Sequence, residues 1–203
     1  MAKRYYSPTD SDPTTGKILE EEYFGKIDLK GDKRSAAMEF YKQLSGGQSP
    51  TKAGFYLPFN AALKFAKAFQ PWKDAASPSK KVARDLLDFI CDELGLDPDD
   101  EDAEHLKFFT SVGSPLDEKH GVDAFIEYRG HRILIDVTKN PAKRFDDSSG
   151  DRMIMEQLPD WTEAKNKTAY IEALQKYARY SAEVLQSRPE HTREMATALR
   201  AIR

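Results

Sequence analysis

The 203-residue chain carries 31 Lys and Arg against 34 Asp and Glu, a formal net charge of −3 with histidine neutral. There is no global basic footprint, so a nucleic-acid partner has to be held by a local basic patch rather than by overall attraction. With 32% charged residues, no apolar run near the ~20 residues of a bilayer span and one cysteine, Cys91, the chain does not read as a helical membrane protein, a disulfide scaffold or a multi-cysteine zinc protein. The N-terminus lacks a signal-peptide core, and the expected location is cytoplasmic.

The length suits one good-sized core with an appended helical segment. Residues 1–30 are rich in Pro, Thr, Asp, Ser and Gly up to Lys17 and read as a flexible N-terminal arm, although the pairs Tyr5-Tyr6 and Tyr23-Phe24 suggest that pieces of it dock. Residues 31–75 read as a helical extension. Its first helix spans 33–44 with Ala36, Ala37, Phe40, Tyr41 and Leu44 as the apolar stripe. Ser45-Gly46-Gly47 ends it, and lacks the Gly-Lys-Ser/Thr of a phosphate loop. A second helix starts behind Pro58 and stops at Pro71. The basic-aromatic mixture over 52–73 reads mainly as core phenylalanine at helical spacing.

Residues 76–203 form the expected α/β core with C-terminal helices. A strongly amphipathic helix covers 80–94, with Val82, Leu86, Leu87, Ile90 and Leu94 on one face and Gly95 as its cap. The acidic run over 97–104 lacks the alternation and central glycine of a calcium loop and reads as a solvated connection. A strand over 106–112 is broken by Gly113-Ser114-Pro115, and a loop carrying Asp117, Glu118 and His120 leads on, with Asp117 and Glu118 as candidates for another carboxylate. His120 is a candidate for contacting a phosphate.

The stretch 121–143, GVDAFIEYRGHRILIDVTKNPAK, is the most informative. AFIEY and RILIDV are rich in β-branched and aromatic residues, and the turn at Arg129-Gly130-His131 joins them as a hairpin. Strand parity puts Arg132, Leu134, Asp136 and Thr138 on one side, and Ile133, Ile135 and Val137 on the core side. Asp123, where the first strand opens, then lies near Asp136 at the open end of the hairpin. Two carboxylates converging there suit a hard divalent cation such as Mg²⁺ or Mn²⁺. Lys139, Lys143 and Arg144 follow as a local basic cluster fit to meet a phosphodiester backbone. Beyond them, a further strand over 152–157, a long helix over 162–185 and a short charged helix over 189–202 are expected.

An Asp opening one strand, a tight hairpin and an acid late in the next resemble the core of the PD-(D/E)XK nuclease superfamily. The resemblance covers roughly residues 79–186 and implies a mixed α/β (α+β) protein, with a restriction-endonuclease-like αβββαβ core and an N-terminal helical extension. It also implies Asp123 and Asp136 as metal-binding catalytic acids, the Val137 carbonyl as a further ligand, and Lys139 or Lys143 as the catalytic cation. A helix acid, among Asp85, Asp88, Asp92 and Glu93, is a further candidate ligand. The family pattern is acid, any residue, lysine, whereas here Asp136-Val137-Thr138 is followed by Lys139.

Three functions follow as alternatives. The first is a Mg²⁺-dependent endo- or exonuclease acting on DNA. The second is an inactive relative that binds DNA or a protein partner, as an accessory or inhibitor. The third is an assembly protein whose aspartates are incidental. A homodimer is one option for the oligomeric state.

Overall fold

The computed structural model describes residues 13–49, 56–97, 101–139 and 151–187. Four helices come first: α1 (Pro13–Phe24), α2 (Asp32–Leu44), α3 (Phe59–Ala68) and α4 (Lys81–Leu94). Then follow β1 (Lys107–Thr110), a short α5 (Pro115–His120), β2 (Ala124–Tyr128), β3 (His131–Thr138), β4 (Arg152–Glu156) and the long α6 (Lys167–Gln186). The molecule is thus mixed α/β, with one four-stranded sheet in the order β1-β2-β3-β4. The first three strands form an antiparallel meander, and β4 runs parallel to β3. Among the described residues β4 precedes the long helix.

Local chemistry explains the elements. The β2–β3 hairpin turns on two residues, Arg129 at φ 48° and Gly130 at φ 88°, both positive as a type I′ turn requires. His131 already belongs to β3. Helix α4 ends as its sequence suggests, with Gly95 left-handed at φ 66° and ψ 31°. The stretch expected as a loop before Asp123 is instead helix α5. Ser114 caps it by accepting from the Leu116 N–H, Pro115 fills the first turn, and left-handed Gly121 closes it. Helix α6 begins at Lys167, after a 3₁₀ turn at Ala164–Asn166, later than the sequence pattern suggests.

Strand alternation was read with one core face, but both faces of the sheet are covered. Ile126, Ile133, Ile135, Met153 and Met155 face α4, α6 and α1, and pack with Leu86, Ile90 and Leu174. The opposite row, Phe109, Phe125 and Leu134, is buried with Leu63, Phe65 and Leu116 of α3 and α5. Phe109 and Phe125, register partners on β1 and β2, stack with ring centres 5.0 Å apart. Arg132 and Lys67 lie over those rings at 5.8 and 5.3 Å, and both pair with Glu127. These long side chains close the apolar row at its solvent edge.

Within the stretch expected as an arm, residues 13–24 are helical and α1 is anchored in the first core. Leu19, Tyr23 and Phe24 are buried, Phe24 packs on Phe108 at 5.4 Å, and the Tyr23 hydroxyl accepts the Leu158 N–H at 2.8 Å. Residues 1–12 lie outside the described residues, as do the expected C-terminal helix and the candidates Lys143 and Arg144.

Candidate metal centre

Three elements converge on the open end of the hairpin. Asp123 precedes β2, and its N–H donates at 2.9 Å to the carbonyl of Ile135, the residue that Ala124 pairs with, which holds Asp123 against β3 beside the stretch that carries Asp136. Its Oδ2 accepts the Val137 N–H at 2.7 Å, which fixes the carboxylate against β3. From α5 comes Asp117, whose Oδ2 accepts the Gly113 N–H at 2.8 Å. From α1 comes Glu20. One carboxylate oxygen each from Glu20, Asp117 and Asp123 lies within 4.8 Å of the other two.

That spacing fits a shared ion. Two oxygens on one hard cation are separated by at most about twice the metal–oxygen distance, or roughly 4–5 Å. The three residues could therefore hold a metal ion between them. Asp136 stands outside this trio but acts on it electrostatically.

Burial makes the cluster costly without a cation. Asp123 is 4% and Asp136 6% exposed. The Asp123 carboxyl is pushed well above the usual carboxylate range, first by desolvation and then by the charges of Asp136 and Glu20; the Val137 N–H acts in the opposite direction. Asp117 is also raised, mainly by burial, while the Gly113 N–H and Lys17 pull it down. Lys17, one turn before Glu20 on α1, is therefore a cation whose field reaches the cluster.

The other sequence candidates take these positions. Val137 meets Asp123 through its N–H. Thr138, at the place of the family lysine, ends β3 and is 9% exposed. Lys139 is half-buried just beyond the strand. His120 turns to α3's approach, its Nε2 lying 2.9 Å from the Leu57 carbonyl and its ring against Phe59 at 5.4 Å. The four α4 acids are absent from the trio.

Sequence reasoning missed Glu20 and Lys17. The available signal was Leu19, Tyr23 and Phe24 at helical spacing between Pro13 and Gly25, which marks a docked helix with Glu20 beside its buried stripe. Asp117 was recognised as a possible extra carboxylate, but not its helix.

Fold and site together define a mixed α/β protein with a partly buried acidic cluster that could hold a metal ion. No family model matches the chain, and no curated protein or solved structure matches it significantly. Among the described residues no helix is long and apolar enough to cross a membrane.

Proposed function

We propose that the chain is a metal-dependent nuclease acting on DNA, with a divergent PD-(D/E)XK-like core. The observation that carries this reading is the convergence of Glu20, Asp117 and Asp123 beside Asp136 at the open end of a β-hairpin. In this reading those carboxylates, with the Val137 carbonyl, hold Mg²⁺ or Mn²⁺. When bound, such a cation supplies Lewis acidity to a phosphodiester and lowers the pKa of water.

The chain's own residues orient and balance charge. The Val137 N–H holds Asp123 in one rotamer, and Gly113 does the same for Asp117. Lys17 supplies positive charge from α1, and Lys139 supplies it from the end of β3. Lys143 and Arg144 follow Lys139 in sequence and add two further cations to that basic stretch. His120 is held against Leu57 and Phe59, so its part is to seat α5, and through it Asp117, against the approach to α3.

The test is cleavage of labelled single- and double-stranded DNA in Mg²⁺, in Mn²⁺ and in EDTA. Asp123→Ala and Glu20→Ala should each lower cation-dependent cleavage by about 100-fold or more while far-UV circular dichroism is retained. Cleavage that persists in EDTA, or in both folded variants, contradicts the reading.

A second reading is favoured by Thr138 at the family's lysine position. In it the same fold binds DNA or a protein partner without cutting. Cation binding together with DNA retention in a gel shift, and no cleavage in either metal, selects that reading.

A further inference from the structure

A cleft of about 310 Å³ opens between α4 and the start of α6, sharing no residue with the carboxylate cluster. Its volume lies at the lower end of small-molecule sites. The α6 side supplies Trp161, Lys167 and Tyr170, and the α4 side supplies Asp88 and Phe89. Trp161 and Tyr170 form an aromatic corner, their ring centres 5.6 Å apart and their planes tilted by 51°. Behind them Asp85 is already committed, accepting from the Tyr170 hydroxyl at 2.8 Å and pairing with Lys81 at 2.6 Å.

Asp88 is different. One turn further along α4, it is exposed and makes no hydrogen bond or ion pair among the described residues; partial desolvation and then the Asp85 charge push its carboxyl up, against Arg84 and Lys81. On the opposite wall Lys167 is exposed and likewise has no ion pair among the described residues. The lining's formal charges cancel, Lys81 and Lys167 against Asp85 and Asp88, so neither a simple cation nor a simple anion is favoured. What fits is a flat ring carrying a hydrogen-bond donor on one edge and an anionic group elsewhere.

We propose that this cleft binds a nucleotide, with the base stacked on Trp161 and edged by Tyr170, whose ring lies under the Lys81 ammonium at 5.7 Å, an exocyclic amine donating to Asp88, and the phosphate meeting Lys167. Stacking on tryptophan tolerates any base, whereas a carboxylate acceptor favours the bases that present an exocyclic amine, adenine, cytosine and guanine, over uracil and thymine, whose one N3–H is flanked by two carbonyls that repel it. The choice of ligand rests on the nucleic-acid partner of the proposed function. The cleft and the metal centre use separate residues, so the two proposals fail separately.

The experiment titrates the full chain with AMP, CMP, UMP and adenosine, without divalent cations, by calorimetry and tryptophan fluorescence. AMP and CMP should bind saturably, about tenfold tighter than UMP. Asp88→Ala should erase that preference, Lys167→Ala should weaken AMP but not adenosine, and Trp161→Leu should cost roughly tenfold for every base. Should Trp161→Leu fail to fold, the two charged-residue variants carry the test. A short oligodeoxyadenylate that binds tighter than AMP places a strand's nucleotide in the cleft, and the reverse order a free one; both support the proposal. No saturable binding of AMP or CMP into the millimolar range overturns it, as do affinities unchanged in both Asp88→Ala and Lys167→Ala. Mn²⁺ binding that persists without nucleotide binding sinks this inference alone.

Discussion

Asp123 is the residue on which the site turns, because its charge is the hardest to keep. It is buried, and the charges of Asp136 from β3 and Glu20 from α1 both act on it. Its native carboxyl holds a proton to higher pH than the same group in the unfolded chain. The native state then binds more protons than the unfolded state across the window from the ordinary Asp value, about 3.9, up to the raised native one. Stability falls as pH rises through that window, and the loss is complete above it. Thermal melts of the ion-free protein should therefore show the Asp123 contribution improving as pH is lowered from neutral. Asp123→Asn keeps an acceptor for the Val137 N–H and removes the charge. At pH 7 in EDTA it should raise Tm by roughly 2–4 °C, the shift that ~1 kcal/mol makes in a chain this size. A lower Tm in the variant would contradict the repulsion described. That Asp123 comes near Asp136 was legible in sequence, because two apolar runs and the turn between them mark a hairpin with Asp123 at its open end; that Asp117 joins Asp123 while Asp136 stands outside the trio was not. Glu20 was not, since its place beside the Leu19, Tyr23 and Phe24 stripe tells only once residues 13–24 are read as a docked helix rather than an arm.

At the scale of elements, α1 and α5 each bring one carboxylate to the sheet end. Both obey ordinary start and stop chemistry. Ser114-Pro115 opens α5 and Gly121 closes it, yet Gly113-Ser114-Pro115 also reads as a plain strand breaker, and a six-residue helix has too few turns to show a stripe. By contrast α4 has four turns with one continuous apolar face, which is why its span was clear from sequence to within a residue. The docking of α1 depends on Tyr23. Its ring packs against Phe24 and Trp161, and its hydroxyl, pushed up to about 12 by burial, accepts the Leu158 N–H. Tyr23→Phe leaves that buried N–H without its acceptor and should cost about 1–3 kcal/mol in denaturant unfolding. Cation affinity should weaken with it, because Glu20 rides on the same helix. A variant as stable as the parent would show that Tyr23 does not anchor α1.

Over the whole molecule, the covered second face of the sheet is what the sequence pattern concealed. Leu134 and Phe125 alternate with residues of the other core, and read alone they look like the solvent side of a two-layer fold. Helices α2 and α3, far earlier in the chain, join α5 in turning that side into a core, and such long-range packing leaves no local trace. The consequence reaches the site. With apolar layers above and below, the open end of β2 and β3 is a dry setting for Asp123 and Asp136, where a shared cation offsets the repulsion among carboxylates. The most direct measurement is calorimetric titration of Mn²⁺ into the metal-stripped chain, repeated on Glu20→Gln and Asp123→Asn. Saturable binding in the parent, weakened at least about tenfold in each variant, is the expected result. No saturable binding in the parent, or equal affinity in all three proteins, would contradict the account.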